Sequence, residues 1–299
     1  MPANAIECRG LRKRFGDTLA LDAIDLVVPD GTIFGVLGPN GAGKTTIFRI
    51  LTGVIGSTAG AASVLGYDVS RHRLQAQDLL GYLPGEVKLY RDLTGEQNLT
   101  LLGSLHSRSP VRRSELLRRF PLGPSALRRK VSTYSRGMLQ MLGIIAACQH
   151  DPEIYLLDEP TVGLDPVMQA TLVDLLMEEK RRGKTILLSS HVISEVERVC
   201  DRVAMIDTGR VRFEGSLQQA RDLAPRRLEV VFTGPVDLDW RAVADIVGVG
   251  GTPSHHVVSF RGPLEPFLQG LVGLPVETMT LGWASLEEIF FKLYQSVPD

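Results

Sequence analysis

The clearest chemistry in this sequence lies in a glycine-rich loop between an apolar run and a helical pattern. We expect its residues to surround a phosphate group: Gly38, Pro39, Asn40, Gly41, Ala42, Gly43, Lys44, Thr45 and Thr46. The preceding run 32–37 (TIFGVL) predicts a buried strand, and 47–51 (IFRIL) predicts the start of a helix. In this context glycines let successive backbone N–H groups face one anion, and the helix N-terminus adds its positive end. We therefore predict a nucleotide-binding loop, rather than a glycine-rich turn with an ordinary surface lysine, in which Lys44 reaches the β- and γ-phosphates and Thr45 joins a Mg²⁺ shell.

A pair of carboxylates ends a second apolar run. The run 154–157 (IYLL) predicts a buried strand, and Asp158 and Glu159 follow it directly. Ligands bind at this edge of parallel sheets, beyond the carboxyl ends of the strands. We expect Asp158 to hold Mg²⁺ through its water shell and Glu159 to be the base, or the positioner, for a water that attacks the γ-phosphorus. Two solvated acids at a strand end are the alternative, and the phosphate loop favours the functional interpretation.

Alternating strands and helices must position these groups. After residue 150 the pattern predicts strands at 185–189 and 202–207 and helices at 166–182 and 192–199, typical of a mainly parallel sheet covered on both faces. Residues 6–28 predict antiparallel strands around a Gly16-Asp17 turn, and a helical period runs from 93 to 149. The fold class is therefore α/β: a phosphate-loop ATPase domain with a mainly parallel sheet, an antiparallel β subdomain and a helical insertion at about 86–150.

A second domain is predicted after a boundary at 223–227. The two domains would span 1–222 and 223–299, the second being small and α+β, with strands near 228–233, 257–261 and 276–280. Its predicted helices lie near 240–246, 264–272 and 285–294. We interpret His255-His256 as loop surface rather than a metal site. The arginine-rich stretch 112–129 is typical of a solvated helix face rather than an anion-binding patch.

Composition excludes several classes of function. The chain has 299 residues and a formal charge of −1, so bulk charge indicates no nucleic-acid partner. Three cysteines with no C-x-x-C spacing predict small buried residues in a reducing compartment. No secretory signal is expected at the start, and no apolar run reaches the roughly 18 residues that span a bilayer, so we expect a soluble chain.

Further motifs carry a family resemblance. Residues 159–166 (EPTVGLDP) resemble the end of the Walker B motif and the D-loop of ABC-transporter ATPases. Upstream, 134–140 (YSRGMLQ) resembles their signature motif, and downstream 187–191 (LLSSH) matches their switch-histidine strand end. The resemblance covers about 6–215 and is greatest to ATPase subunits of drug- and antibiotic-export systems, and 286–290 resembles their closing segment.

The resemblance implies a mechanism that needs two copies. Two ATPase domains would close head-to-tail, so that Ser135 and the Gly137 N–H of one copy face the γ-phosphate held by the other. The resemblance also implies that His191 contacts that phosphate and orients the water, that Asp165 organises the dimer interface, and that Phe15 stacks on adenine. A simple helix N-cap at 134–140 and a core role for the aromatic ring are the alternatives.

Several positions depart from the family pattern. The Q-loop glutamine is expected near Gly85 and is absent, so Glu86 is a candidate for Mg²⁺ or for contact with the membrane partner. Arg136 and Met138 replace a glycine and a glutamine of the signature, and Val162 replaces the usual D-loop serine. The other expected groups are present, and we expect an active ATPase.

The sequence thus predicts an ATP-hydrolysing subunit that uses ATP and Mg²⁺ to power a transmembrane permease on a separate chain. A homodimer on the cytoplasmic face of the membrane is expected, with the permease docked at the helical insertion and the segment 85–99, and no nucleic acid. One alternative is a soluble ABC ATPase that acts on nucleic acid or ribosomes, which the single phosphate loop and neutral charge disfavour. The other is a regulatory nucleotide sensor, which the complete set of catalytic groups disfavours.

Overall fold

The regular elements alternate much as the sequence predicts. A computed structural model describes residues 4–222, 225–242, 246–283, 287 and 289–290. The strands are β1 (Asn4–Phe15), β2 (Thr18–Pro29), β3 (Ile33–Leu37), β4 (Ala59–Val64), β5 (Tyr67–Asp68), β6 (Leu80–Leu83), β7 (Ile154–Asp158), β8 (Thr185–Ser190), β9 (Arg202–Asp207), β10 (Arg210–Ser216), β11 (Arg226–Phe232), β12 (Ile246–Thr252), β13 (His255–Phe260) and β14 (Val276–Trp283). The helices are α1 (Lys44–Leu51), α2 (Arg73–Asp78), α3 (Gly95–Gly103), α4 (Arg113–Arg119), α5 (Pro124–Leu127), α6 (Arg136–Cys148), α7 (Pro166–Arg181), α8 (Ile193–Val199), α9 (Leu217–Asp222) and α10 (Glu265–Leu271). The chain divides into two compact units, Met1–Leu217 and Gln218–Asp299.

A six-stranded sheet forms the centre of the first unit. Its order is β10-β9-β3-β8-β7-β6, and all neighbours are parallel except the hairpin of β9 and β10. Every residue of β3, β7 and β8 is buried, which explains the apolar run that each contains, since strands covered on both faces need no polar side. The parallel register brings the carboxyl ends of β3, β7 and β8 to one edge. The predicted mainly parallel α/β fold is confirmed.

An antiparallel sheet of order β2-β1-β4-β5 completes the β structure of this unit. β1 and β2 form the predicted hairpin, with Phe15 opposite Thr18 across the Gly16-Asp17 turn. The strand β4 pairs with β1 in an antiparallel register. Cys8, Cys148 and Cys200 are all buried, as predicted.

Four helices, α3 to α6, lie between β6 and β7 where the helical insertion is predicted. α3 begins with a capping box, in which Thr94 accepts from the Gln97 N–H and the Gln97 side chain accepts from the Thr94 N–H. This pairing satisfies two of the backbone donors that a helix start leaves free. α4 begins only at Arg113, because a turn precedes that residue. Among the described helices, none is long and apolar enough to cross a bilayer.

The arginine-rich stretch is not simply a solvated helix face, and that prediction is wrong for Arg112. Its guanidinium is buried and bonds Glu179, a fully buried carboxylate on α7, and it also donates to both oxygens of Glu115. Glu179 accepts further hydrogen bonds from the Tyr155 hydroxyl and from Arg182, each at 2.8 Å. Burial lowers the pKa of Arg112, but the hydrogen bonds to Glu115 and Glu179 outweigh burial, so the pKa is raised. This cluster joins the helical insertion to the central sheet.

We expect Arg112→Met to lower the free energy of unfolding by about 3 kcal/mol, the lower end of the cost of breaking a buried ion pair. We expect the lower value because Tyr155 and Arg182 would still donate hydrogen bonds to the Glu179 carboxylate. Urea unfolding measures the loss, and Arg118→Met, which replaces an exposed arginine of α4, should change stability by less than about 0.5 kcal/mol. Equal losses in the two variants would contradict a special role for the buried pair.

Two stacked imidazoles lie beside the end of α6. The rings of His106 and His150 are 3.6 Å apart, and the Nε2 atom of His150 is 3.1 Å from the Leu80 carbonyl oxygen. Burial, helped by the neighbouring His106, lowers the pKa of His150 from 6.5 to about 4, and burial also lowers the pKa of His106. Asp78 and Arg108 are the other charged groups acting on this pair.

The native state should therefore lose stability as the pH falls from about 6.5 toward 4. In that window the unfolded chain binds a proton at His150, and the folded chain, with the lowered pKa, does not. Urea midpoints at pH 7.5 and pH 5 measure the loss, which should shrink in His150→Gln and persist in His72→Gln, where an exposed histidine is replaced. An unchanged pH dependence in His150→Gln would contradict this explanation.

The second unit is a four-stranded antiparallel sheet of order β12-β13-β11-β14 with α10. Its core contains aromatic side chains from the sheet and from α10, including Phe260 and Phe267 with ring centroids 4.0 Å apart. This arrangement confirms the predicted small α+β fold. Of the predicted helix 285–294 and closing segment 286–290, the structure describes Glu287, Ile289 and Phe290, which are helical; the other residues lie outside the described part.

Of the predicted helix 240–246, Trp240–Ala242 form a 3₁₀ turn and Ile246 begins the glycine-rich strand β12, whereas 243–245 lie outside the described part. The prediction for the histidine pair is wrong. His255-His256 is not loop surface but the start of β13. His256 is buried, and its Nδ1 accepts a hydrogen bond from the indole N–H of Trp240 at 2.8 Å. The pairing of an imidazole with an indole across the fold is invisible to local sequence patterns.

Candidate functional site

The phosphate loop connects β3 to α1 as predicted. Gly43 is the N-cap of α1 at φ 105°, and Gly41 has φ 83°, a region of backbone conformation that favours glycine. Close packing gives a second reason for glycine. A Cβ atom on Gly43 would lie 2.6 Å from Leu21, and one on Gly38 would lie 2.3 Å from the carbonyl oxygen of Ile206. The loop can therefore hold this shape only with glycine at these positions.

Lys44 points its ammonium group back into this loop. Its Nζ atom donates to the carbonyl oxygens of Gly38 at 2.5 Å and Pro39 at 3.0 Å. Burial lowers the pKa of Lys44, and the nearby carboxylates of Glu159 and Asp158 oppose that shift. A buried cation ringed by a glycine-rich loop at a helix start is suited to bind a phosphate group.

Asp158 ends β7 with its side chain almost fully buried. Its Oδ1 atom accepts a hydrogen bond from the Ser189 hydroxyl, and its Oδ2 atom has no hydrogen-bond partner among the described residues. A Cβ atom on Gly85 would lie 3.2 Å from Oδ2, so this buried oxygen lies directly beside the position where the Q-loop glutamine is missing. A buried carboxylate oxygen without a donor is costly, and a hard cation or its water shell satisfies such an oxygen. The donor set therefore fits Mg²⁺.

Glu159 lies between the other two predicted catalytic groups. Its Oε1 atom is 3.9 Å from Lys44 Nζ, and its Oε2 atom is 3.1 Å from His191 Nδ1. The backbone of Glu159 has φ 49°, which turns the chain sharply just after β7. The structure thus brings Lys44, Glu159 and His191 together at the predicted edge of the sheet.

The signature and D-loop residues lie at two other helix starts. Ser135 caps α6 by accepting from the Met138 N–H at 3.2 Å, and Asp165 caps α7 by accepting from the Met168 N–H at 2.9 Å. The two segments pack together, because a Cβ atom on Gly137 would lie 3.0 Å from the carbonyl oxygen of Gly163. Within the part of the chain that the structure describes, no hydrogen bond or ion pair joins them to the phosphate loop.

The remaining candidates lie near the surface. The Phe15 side chain is 48% exposed, with Lys13 Nζ 4.9 Å from its ring centroid; the ring is therefore not a core residue and remains a candidate for adenine stacking. Thr45 and Thr46 are half-buried, and Asn40 and Pro39 are exposed. The Glu86 carboxylate is 79% exposed and lies 3.0 Å from Lys88 Nζ. No ion pair or hydrogen bond of the described residues joins Glu86 to Asp158.

Sequence reasoning missed Ser189, which bonds the carboxylate of Asp158 and the backbone N–H of Glu159. Its hydroxyl donates to Asp158 and accepts from the Glu159 N–H at 3.0 Å. The available signal was a serine at the carboxyl end of the predicted strand 185–189, which is expected to lie near the strand that ends in Asp158. That signal needs the strand order, because it becomes informative only when β7 and β8 are known to be neighbours.

Known proteins resemble this chain over nearly its whole length. The ABC transporter family model matches residues 21–162. The daunorubicin resistance ATP-binding protein DrrA3 of Streptomyces coeruleorubidus is 36% identical over 98% of this chain and 96% of its own length. The Nod factor export ATP-binding protein I of Burkholderia lata is 33% identical over 98% of each chain.

Solved structures agree with these relatives. The ATP-binding subunit of an ABC transporter superposes with a TM-score of 0.68 at 31% identity, covering 73% of this chain and 92% of its own. A dimeric cassette in a post-hydrolysis state with ADP and Pi has the same fold, with a TM-score of 0.63 at 23% identity over 71% of this chain and 98% of its own. The chain therefore belongs to the ABC transporter family, as an ATP-binding and ATP-hydrolysing subunit.

Proposed function

We propose that this chain hydrolyses Mg²⁺·ATP to drive the export of an apolar small molecule through a permease on a separate polypeptide. The observation that carries the proposal is full-length similarity to proteins named for daunorubicin resistance and Nod factor export. The site supports this chemistry, since Lys44 is suited to bind phosphate, Asp158 to hold the metal and Glu159 to position the water. The alternative, an ATPase acting on nucleic acid or ribosomes, has no support from these relatives.

Binding of the nucleotide would begin at the phosphate loop. The backbone N–H groups of 38–46 and the start of α1 would surround the β- and γ-phosphates, and Lys44 would exchange its two carbonyl partners for phosphate oxygens. The exposed ring of Phe15 would stack on the adenine base. Thr45 and Asp158 would hold Mg²⁺, which when bound neutralises phosphate charge.

Hydrolysis would then use the groups around Glu159. This carboxylate would accept a proton from the attacking water or hold that water in line with the γ-phosphorus. His191, 3.1 Å away, would orient the carboxylate and contact the γ-phosphate. Lys44, 3.9 Å from Glu159, would stabilise the charge that develops on the phosphate oxygens.

A second copy of the chain would complete the site. Ser135 is exposed at the start of α6. Its hydroxyl oxygen accepts the Met138 N–H, and its O–H would donate to the γ-phosphate of the nucleotide held by the other copy. Gly137 would add a backbone N–H at the same helix start. Asp165, at the start of the neighbouring helix, would lie at the interface between the two copies.

The permease would dock on an apolar groove of about 690 Å³ between α2, α3 and the central sheet. Leu74 and Leu105 line it and are 76% and 72% exposed, and Val54 is 59% exposed. Large apolar side chains grouped at one groove are typical of a protein–protein contact. Docking there would place the chain on the cytoplasmic face of the membrane.

Co-purification from detergent-solubilised cells tests this proposal. With ATP present, tagged Glu159→Gln protein should carry a multi-span membrane protein with it. Leu74→Asp/Leu105→Asp should lose that partner, and Val272→Asp, which replaces an 80% exposed valine of the second unit, should keep it. Recovery of ribosomal proteins or nucleic acid in place of a membrane protein would overturn the proposal.

A further inference from the structure

Ser189 lies between the two acidic residues of the site, and the proposed mechanism gives it no role. It is the fifth residue of β8, fully buried, and stands opposite Asp158 in the parallel pairing of β7 with β8. Its hydroxyl group makes two hydrogen bonds, one to each acidic residue of the site. It donates to Asp158 Oδ1 and accepts from the Glu159 N–H.

The first bond fixes the rotation of the Asp158 carboxylate. Because Oδ1 is occupied by the serine hydroxyl, Oδ2 is the oxygen that lies beside Gly85. Gly85 brings no side chain to that position, and Oδ2 has no donor among the described residues. The orientation of the metal-side oxygen therefore depends on the Ser189 hydroxyl.

The second bond holds the sharp turn at Glu159. A non-glycine residue at φ 49° carries a backbone cost of about 1–3 kcal/mol and persists only where its surroundings hold it. The Glu159 N–H donates to both the carbonyl oxygen and the hydroxyl of Ser189, at 3.2 Å and 3.0 Å. This turn sends the Glu159 side chain toward Lys44 and His191.

We infer that Ser189 is a positioning residue, whose single hydroxyl links the metal-side carboxylate of Asp158 to the backbone N–H of Glu159, the water-side residue. The inference rests on the proposed hydrolysis of Mg²⁺·ATP and adds a residue to that reaction. The same hydroxyl thus sets the direction of the Asp158 carboxylate and helps to hold the turn that directs the Glu159 side chain.

Four variants test the inference. Ser189→Ala and the near-isosteric Ser189→Cys remove the strong donor, Ser189→Thr keeps a hydroxyl, and Thr185→Ala is the matched control. Thr185 begins the same strand, and its hydroxyl also bonds a carboxylate, Asp30, at 3.0 Å, far along β8 from the site. Each variant is assayed for kcat and KM and for ATP affinity with and without Mg²⁺ by calorimetry.

We expect the alanine and cysteine variants to lose about 10–100-fold in kcat, the usual cost of removing a hydrogen bond behind a metal ligand. The gain in ATP affinity on adding Mg²⁺ should shrink several-fold, while ATP affinity without Mg²⁺ stays unchanged. The threonine variant should recover most of both, and Thr185→Ala should lower thermal stability with kcat unchanged.

Normal kcat and a normal Mg²⁺ effect in the alanine and cysteine variants would overturn the inference. It would also be overturned if folded Ser189→Thr behaved like Ser189→Ala, since the hydroxyl would then not be the cause. Absence of ATP turnover in the unmodified protein would defeat the proposed function instead, and the Mg²⁺ effect on ATP affinity would still decide the role of Ser189.

Discussion

Glu159→Gln is expected to lower ATP turnover by about 10²–10⁴-fold, the usual contribution of a positioned general base. Glutamine has nearly the same shape and can keep a hydrogen bond to His191, whose Nδ1 is 3.1 Å from the carboxylate, yet its amide cannot accept the proton of the attacking water. ATP affinity should stay within a few-fold, because the phosphate contacts come from the loop 38–46. Phosphate release and calorimetric ATP binding measure the two effects.

The same variant should accumulate as an ATP-bound dimer, visible by light scattering, since the closed state would form and not be hydrolysed. Glu86→Gln is the matched control, because it removes an exposed carboxylate paired with Lys88. It should leave turnover unchanged, and a large loss there would restore Glu86 as a candidate metal ligand. Turnover within tenfold of normal in Glu159→Gln would contradict the role given to Glu159.

Lys44→Ala is expected to weaken ATP binding on the order of 100-fold. The ammonium would make charge-assisted hydrogen bonds to two phosphate oxygens, each contributing about 1.5–3 kcal/mol, and about 1.4 kcal/mol corresponds to a tenfold change in affinity. The Lys44 side chain already points into the loop, where it bonds Gly38 and Pro39. It therefore needs to move little when the phosphate binds. Titration with ATP measures the loss.

A control separates the lost charge from a lost fold. Lys44 also bonds the loop itself, so the melting temperature of Lys44→Ala must be compared with that of the unmodified protein. Lys88→Ala, which removes an exposed lysine, should bind ATP normally. Unchanged ATP affinity in a folded Lys44→Ala protein would place the phosphates elsewhere.

Sequence by itself determined the features that depend on residues a few positions apart. The glycine-rich loop and the two buried strands, one before the loop and one before Asp158, are of this kind. The caps that the structure shows at Thr94, Ser135 and Asp165 depend on equally local contacts. A helix cap needs its donor and acceptor within about three residues, and a buried strand shows its burial in its own apolar run. Fold class and the loop that joins β3 to α1 therefore followed from local patterns.

Only the tertiary structure decided the contacts between distant segments. Ser189 meets Asp158 and Glu159 because two strands thirty residues apart become neighbours. Arg112 is buried because α4 packs beside Glu179, and the sequence pattern around it predicts solvent. In each case a side chain's role depends on the element that packs against it, and strand order and helix packing, unlike periodicity, are properties of the whole chain.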